Sequence, residues 1–306
     1  MSSAASDPVL IGIDWGTSSF RAILIGAQGA VVDHMSSSMG IMSVGDGDFE
    51  AVFHCQLSPW IETYDLPVIA SGMITSRNGW VETPYADTPA GAKALAQALV
   101  PFHTSSGITV HFVPGIKTQH DGAPDVMRGE ETQIIGAATS GLSDGLFAMP
   151  GTHSKWVAVQ EGQITDFATY MTGELFAALC DHTILRTLMN EGPFHEKGFR
   201  MGVASGLEAG ADLLHRLFHV RTLPLFEKIS EEMTADYLSG LLIGTEIRAA
   251  TQHSAINGSI ILVGRGDLAD RYQRALAIHG LESQQAPDDI VARGHFVIAK
   301  SAGLLS

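Results

Sequence analysis

Asp14 closes an apolar run, Val9 to Ile13, and Gly16, Thr17 and Ser18 follow almost at once. That order has a chemistry. Glycine turns hold phosphate well, because backbone N–H groups cannot be neutralised and need no bulky side chain. Thr17 and Ser18 add hydroxyl donors, and Arg21 suits charge developing on a phosphoryl group in transfer. A carboxylate at the strand end suits Mg²⁺, which keeps most of its waters and takes few protein ligands. The pattern returns at Gly151-Thr152, where His153, Ser154 and Lys155 crowd the turn. One such turn is equally an ordinary hairpin of turn-forming residues. Two of them argue for a triphosphate gripped from both sides.

A second constellation suits a polyhydroxy acid. Ser71, Gly72, Met73, Ile74, Thr75, Ser76, Arg77, Asn78, Gly79 and Trp80 put hydroxyl, guanidinium, amide and aromatic groups into one loop. Arg77 and Arg128 are rival anchors for a carboxylate, and Asn78, Glu82 and Tyr85 are partners for hydroxyls. The plain alternative is a polar surface loop. Glu130 and Glu131 open a helix, where acids also simply complement the dipole.

Near the C-terminus an apolar strand runs into Gly264-Arg265-Gly266-Asp267-Leu268-Ala269. Alone, this G-x-G-x-x-A is a dinucleotide fingerprint. A dehydrogenase reading then needs a further βαβ half, and the 40 residues after Gly266 are too few. No G-x-x-x-x-G-K-[ST] occurs, which excludes a P-loop. The 13 histidines form no H-E-x-x-H; His182, His215 and His219 fall on helices in core or surface roles.

The elements that must position these groups follow from hydrophobic patterning. Val9 to Ile13, Phe20 to Ile25 and the segment from Ala30 read as three strands of a meander. Leu146 to Met149, Trp156 to Val159 and Gln163 to Ala168 repeat the grammar, with Gly16 and Gly151 equivalent and 135 positions apart (151 − 16). A repeat of that length means two related halves, not a solenoid. The boundary falls near residue 143, dividing 1–143 from 144–306. Pro67 to Ala70, Thr109 to Val113 and Ser259 to Val263 read as further strands. Ala90–Val100, Glu130–Thr139, Gly173–Met189, Gly206–His219, Thr234–Ala250, Leu268–His279 and a last segment from Asp289 read as helices. Strands alternating with helices predict an α/β fold with mixed sheets.

The 306 residues are 45% hydrophobic and 17% charged, enough apolar material for substantial cores. A net charge of −15 argues against nucleic acid and anionic membrane as partners. It also means that anionic ligands need local cations or N–H donors. Cys55 and Cys180 make neither a disulfide framework nor a cysteine-rich metal site; they read as inert core thiols of a reducing, cytoplasmic compartment. Met1 to Pro8 read as a loose tail and not a signal peptide, and no apolar run is long enough to span a bilayer.

The hairpin IGIDWGTSS resembles the first phosphate motif of the sugar kinase/Hsp70/actin superfamily, and PGTHSKW resembles its second. Along the whole chain IDWGTSSFRA, ASGMITSRNGW, ETPY, MRGEETQIIGA, PGTHSKW and TYMTGELF, in that order, resemble the 2-dehydro-3-deoxygalactonokinase family. The resemblance implies two actin-like (ribonuclease H-like) domains, mixed sheets flanked by helices, closing around MgATP with a small sugar acid in the cleft. It implies phosphorylation of the 6-hydroxyl of 2-dehydro-3-deoxy-D-galactonate, another sugar acid such as the gluconate epimer being the alternative. Related carbohydrate kinases carry a Gly-Asp-Gln at a helix start whose acid is the base; here Glu130 takes that place, with Glu131 next. Glu for Asp is one departure, and Met149-Pro150, where an acid often precedes the second hairpin, is another. Gly264, Arg265 and Gly266 would then face adenine and ribose. A nucleotide switch or chaperone of the same fold is the rival outside enzymes; such proteins normally carry a client domain. A homodimer is left open.

Overall fold

The computed structural model describes residues 7–190, 192–253, 258–264 and 266–305. The chain forms two compact units. The first takes the chain up to Asp144, with Val159–Asp166 and the residues from Pro287 onward; the second takes Gly145–Ala158 and Phe167–Ala286. The final segment, assigned by the sequence division to the second half, thus groups with the first.

The first unit begins with β1 (Pro8–Trp15), β2 (Phe20–Gly26), β3 (Val31–Ser37), α1 (Phe49–Ile61) and β4 (Val68–Ser71). It continues with β5 (Tyr85–Asp87), α2 (Ala92–Gln97), β6 (Val100–His103), β7 (Thr109–Phe112), β8 (Gly115–His120), β9 (Ala123–Met127) and α3 (Glu130–Ala138). Its main sheet has the order β3-β2-β1-β4-β7-β6, and β5, β8 and β9 form a smaller one. β1 lies antiparallel to β2 and parallel to β4, so the sheet is mixed. Being central, β1 buries both faces, which is why its sequence is a nearly unbroken apolar run. Trp15, Phe20, Phe53, Phe112 and Ile13 form the core, each fully buried aromatic or aliphatic side chain contributing about 1.5–3 kcal/mol. Trp15 meets Phe20 edge-on at 4.8 Å and donates its indole N–H to the Met39 carbonyl at 2.8 Å.

The second unit holds β10 (Gly145–Met149), β11 (Ser154–Gln160) and β12 (Gln163–Tyr170), the tip of the β11–β12 hairpin grouping with the first unit. Then come α4 (Thr172–His182), α5 (Glu196–Ala209), α6 (Leu213–Leu225), α7 (Thr234–His253), β13 (Ile260–Leu262), α8 (Gly266–Ile278) and β14 (Ser283–Gln285). The sheet order is β12-β11-β10-β13-β14, with β10 parallel to β13. It repeats β3-β2-β1-β4 strand for strand, so the Gly16 and Gly151 turns hold the same topological place in their own sheets. Glycines on α5 and α7 let these helices meet backbone to backbone: a Cβ at Gly206 would collide with the Leu241 carbonyl.

The last helix, α9 (Ile290–Ser301), lies on α3 just as closely. A Cβ at Gly294 would strike the Thr132 carbonyl, and one at Gly136 the Ile290 carbonyl. That packing is why the C-terminal segment belongs with the first unit.

Several sequence expectations need correction. The helix expected over 90–100 stops at Gln97, because Val100–His103 is drawn into antiparallel pairing with β7. The one expected over 173–189 ends at His182, where Thr183 turns extended and its side chain accepts from Leu185 N–H at 3.2 Å. The one expected over 206–219 is broken at Gly210, whose φ of +50° no continuing helix has. α1 and the β8–β9 hairpin were not foreseen. Cys55 is exposed on α1 rather than buried in a core, whereas Cys180 is half-buried with its thiol pushed up to about 11, first by burial and then by Asp181.

Candidate active site

In the first unit the Gly16 turn presents its donors outward. Gly16 N–H bonds the Ser19 carbonyl at 2.9 Å, while the Gly16 and Thr17 carbonyls are taken by the N–H groups of Ile41 and Met42 at 3.0 and 3.2 Å. Thr17 and Ser18 are exposed, and their N–H groups have no acceptor among the described residues. Unpaired N–H groups in a tight turn are an anion cradle.

Asp14 is the last residue but one of β1, beside that turn, and is 8% exposed. Burial pushes its carboxyl up, and the Arg21 guanidinium, 3.0 Å from Oδ2, opposes the rise. Among the described residues no cluster of three His, Cys, Asp or Glu side chains could cage a metal. Mg²⁺ needs fewer, since phosphate and water complete its shell. Asp14 fits that demand through Oδ1, which carries no hydrogen bond among the described residues.

Gly72 links this carboxylate to the helix-start acids. At φ +95°, a Cβ there would lie 3.2 Å from Asp14 Oδ1 and 2.8 Å from the Trp15 carbonyl. Gly129, at φ +103°, would bring a Cβ within 3.1 Å of Gly72 Cα. Only glycine satisfies both the conformation and the approach. The start of α3 is thereby stacked on the loop that borders Asp14.

The two acids at that helix start differ. Glu130 is half-buried and accepts the Arg128 N–H at 3.1 Å. Glu131 is 1% exposed and accepts the Gly129 N–H at 2.7 Å and the Thr132 hydroxyl at 3.2 Å. Burial, and then the Glu130 charge, push its carboxyl up to about 8, so it holds its proton at neutral pH.

The rival arginines also separate. Arg128 donates to the hydroxyls of Thr75 and Thr83 at 2.8 and 2.7 Å and to the Thr83 carbonyl at 2.7 Å; its guanidinium lies 4.0 Å from the centre of the Tyr85 ring. It ties the segment around Thr75 and Thr83 to the residues that lead into α3. Tyr85 stacks on it rather than standing free. Arg77 and Asn78 are exposed at the tip of the same loop, past the turn Met73–Thr75. Ser71 is buried at the end of β4, and Trp80 packs with Phe53, Phe102 and Phe112 in the core.

In the second unit Thr152 and His153 are exposed, again with N–H groups lacking acceptors among the described residues. His153 Nε2 meets Glu174 Oε2 at 2.5 Å. The start of α4 lies so close that a Cβ at Gly173 would strike the Gly151 carbonyl. The next two residues point inward: the Ser154 hydroxyl is 2.9 Å from Tyr272 Oη, and Lys155, 7% exposed, donates to Thr169 at 2.7 Å. Gly264 and Gly266 adopt φ of +143° and +71° where β13 gives way to α8. Arg265 lies outside the described residues.

Sequence reading missed Glu246. Buried on α7, it accepts from Trp156 Nε1 and Tyr272 Oη, both at 2.7 Å, and from the Thr172 hydroxyl. Burial pushes its carboxyl up, against these hydrogen bonds. It ties β11, α4 and α8 together beneath the Gly151 turn. An acid inside the apolar stretch Leu241–Ile247 was the available signal. His295 was a second such residue, a histidine within the apolar C-terminal helix.

A profile of the 2-keto-3-deoxy-galactonokinase family matches residues 14–298. The chain is 35% identical over 294 residues to a protein of Rhizobium meliloti (strain 1021) assigned as a 2-dehydro-3-deoxygalactonokinase, covering 95% of this chain and 96% of that one. To the 2-dehydro-3-deoxygalactonokinase of Escherichia coli (strain K12) it is 35% identical over 272 residues, covering 89% and 90%. A crystal structure of a Sinorhizobium meliloti protein assigned to that activity superposes with a TM-score of 0.88 at 35% identity, covering 95% of this chain and 98% of the other. The mixed α/β architecture is the actin-like one that the family resemblance implies.

Proposed function

This chain belongs to the 2-keto-3-deoxy-galactonokinase family, and from that membership we propose that it moves the γ-phosphoryl group of ATP to the 6-hydroxyl of 2-dehydro-3-deoxy-D-galactonate. The observation that supports the site assignment is how tightly Gly72 is enclosed: a Cβ on it would crowd Asp14 Oδ1, and a Cβ on Gly129 would crowd Gly72 Cα. It joins a metal-side carboxylate and a helix-start acid within one unit.

Each residue then has a task. The free N–H groups of the Gly16 and Gly151 turns receive phosphate oxygens. Asp14 would hold Mg²⁺, which when bound would neutralise charge at the phosphates. Arg21, 58% exposed and paired with Asp14, is available to the transferred group. Glu130 orients and deprotonates the acceptor hydroxyl; Glu131 keeps its own proton to about pH 8 and does not suit a base at neutral pH. Arg77 anchors the substrate carboxylate, since the Arg128 guanidinium is committed to Thr75, Thr83 and Tyr85. Gly264 and Gly266 lie against the nucleoside. A reducing, cytoplasmic setting agrees with two cysteines that both stand free, and no described helix is long and apolar enough to cross a membrane.

The test is ADP release coupled to a reporter, over 2-keto-3-deoxy acids that include both C4 epimers, with plain sugars as controls. Turnover with the galactonate epimer is expected. Turnover with plain sugars alone, or ATP hydrolysis indifferent to any acceptor, would refute the reading.

A further inference from the structure

Glu174 lies in the first turn of α4, in the second unit, with its side chain half exposed. A carboxylate beside a phosphate cradle, in a chain of net charge −15, repels the ligand and needs a reason. The ordinary reason for an acid there is the helix dipole, or a bond back to the N–H at the helix cap. Glu174 is turned elsewhere. Its Oε2 lies 2.5 Å from Nε2 of His153 on the Gly151 turn, and its own main-chain N–H donates to the Thr152 carbonyl at 3.0 Å. One residue thus holds the turn twice, by backbone and by side chain.

Peptide planarity gives that hold a direction. In a trans peptide the C=O and the following N–H point opposite ways. The Thr152 carbonyl faces α4, so the His153 N–H of the same peptide faces away from it, where it has no acceptor among the described residues. The Gly151 carbonyl also faces the start of α4, since a Cβ at Gly173 would strike it, and the Thr152 N–H therefore points away as well. The first unit builds the same device from other parts. There the N–H groups of Ile41 and Met42 take the Gly16 and Thr17 carbonyls, which turns the Thr17 and Ser18 N–H groups outward. In the second unit the clamp is a helix start, and it adds a carboxylate for the His153 ring. A carboxylate accepts, so the ring donates from Nε2 and is drawn to the α4 side.

The clamp is itself anchored. Thr172, two residues before Glu174, gives its hydroxyl to the buried Glu246. Ser154, which follows His153, meets Tyr272, whose hydroxyl donates to the same carboxylate. Turn and helix start are thereby tied to one buried group.

We infer that Glu174 is a positioning residue: by holding the Thr152 carbonyl and the His153 ring, it keeps the Gly151 turn with its Thr152 and His153 N–H groups presented to the nucleotide phosphates. This rests on the assignment of that turn to phosphate, and its test is built to fail separately. Calorimetry of the full chain with MgATP, beside NMR titration with adenosine, which has no phosphate, separates a cradle from a general structural role. Glu174→Ala should weaken MgATP binding about 5–10-fold, the worth of one hydrogen bond, with adenosine binding and Tm nearly unchanged. Glu174→Gln keeps an acceptor for Nε2–H and should recover most of the loss. His153→Ala should weaken MgATP similarly, and the double variant should be no worse than either alone. Gly173→Ala, whose methyl displaces the Gly151 carbonyl, should weaken MgATP further and again spare adenosine. In the ¹⁵N-labelled wild type the His153 amide signal should shift with MgATP and not with adenosine. Equal losses for MgATP and adenosine, MgATP binding indifferent to Glu174→Ala, multiplied losses in the double variant, or a His153 amide unmoved by MgATP would refute the inference. Should the wild type bind MgATP and phosphorylate no sugar acid, the proposed function fails while these binding results still decide the role of Glu174.

Discussion

Replacing Glu131 by glutamine should flatten the dependence of stability on pH. The native carboxyl is held at about 8 against an ordinary 4.5, and burial is the larger cause, the Glu130 charge the smaller. Between those values the unfolded chain releases the proton that the native chain keeps, so native stability falls as pH rises. The loss begins near the unfolded pKa and is complete above the native one. At about 1.36 kcal/mol per unit, the full interval is worth about 5 kcal/mol, of which about 2.5 kcal/mol is lost between pH 5 and 7. Glutamine keeps an acceptor for the Gly129 N–H and has no charge to release, so its variant should escape this fall. The assay is urea unfolding of both proteins at pH 5, 7 and 9, read as the difference between them. The variant should gain on the wild type by about 2.5 kcal/mol from pH 5 to 7 and further by pH 9. A difference that stays constant across the series would refute the assignment of a buried, protonated Glu131.

Glu130→Gln should lower kcat by about 10²–10⁴-fold with ATP affinity nearly unchanged, by steady-state kinetics and calorimetry; full activity would remove Glu130 as the base. Arg77→Ala should raise the acceptor KM by about 10-fold or more with Tm unchanged, whereas Arg128→Ala should lower stability by about 2–3 kcal/mol because Thr75 and Thr83 lose a charged donor. The reverse pattern in kinetics and thermal scans would exchange their roles. Asp14→Asn should abolish most Mg²⁺-dependent turnover while changing Tm little, since burial already opposes its charge; equal losses of both would count against the metal role. Glu246→Ala should cost about 3 kcal/mol or more by leaving Trp156, Thr172 and Tyr272 without their acceptor, and should weaken nucleotide binding through the Gly151 turn.

The amino-acid sequence by itself determined the two meanders, because a central strand buried on both faces must be apolar throughout and a hairpin must carry turn residues. β1 to β3 and β10 to β12 were legible for that reason, as was the recurrence of a Gly-Thr turn after the first strand of each meander. It also presented Glu130 and Glu131 as near equals, and Arg77 and Arg128 likewise. Residue type is the same within each pair, and nothing in the spacing says which member is buried. Tertiary packing decided both cases. The close approach of Gly129 to Gly72 sets where α3 begins, which drives Glu131 inward and leaves Glu130 half-buried. The Thr75, Thr83 and Tyr85 side chains close around Arg128, which its own segment cannot foretell. Gly210 and Thr183 ended helices through backbone conformations that apolar periodicity does not encode. Glu246 and His295 stood out only as polar residues in apolar stretches, and their roles stayed hidden because their partners lie 26 to 224 positions away; a buried polar group is justified only by the donors and acceptors that the fold brings to it.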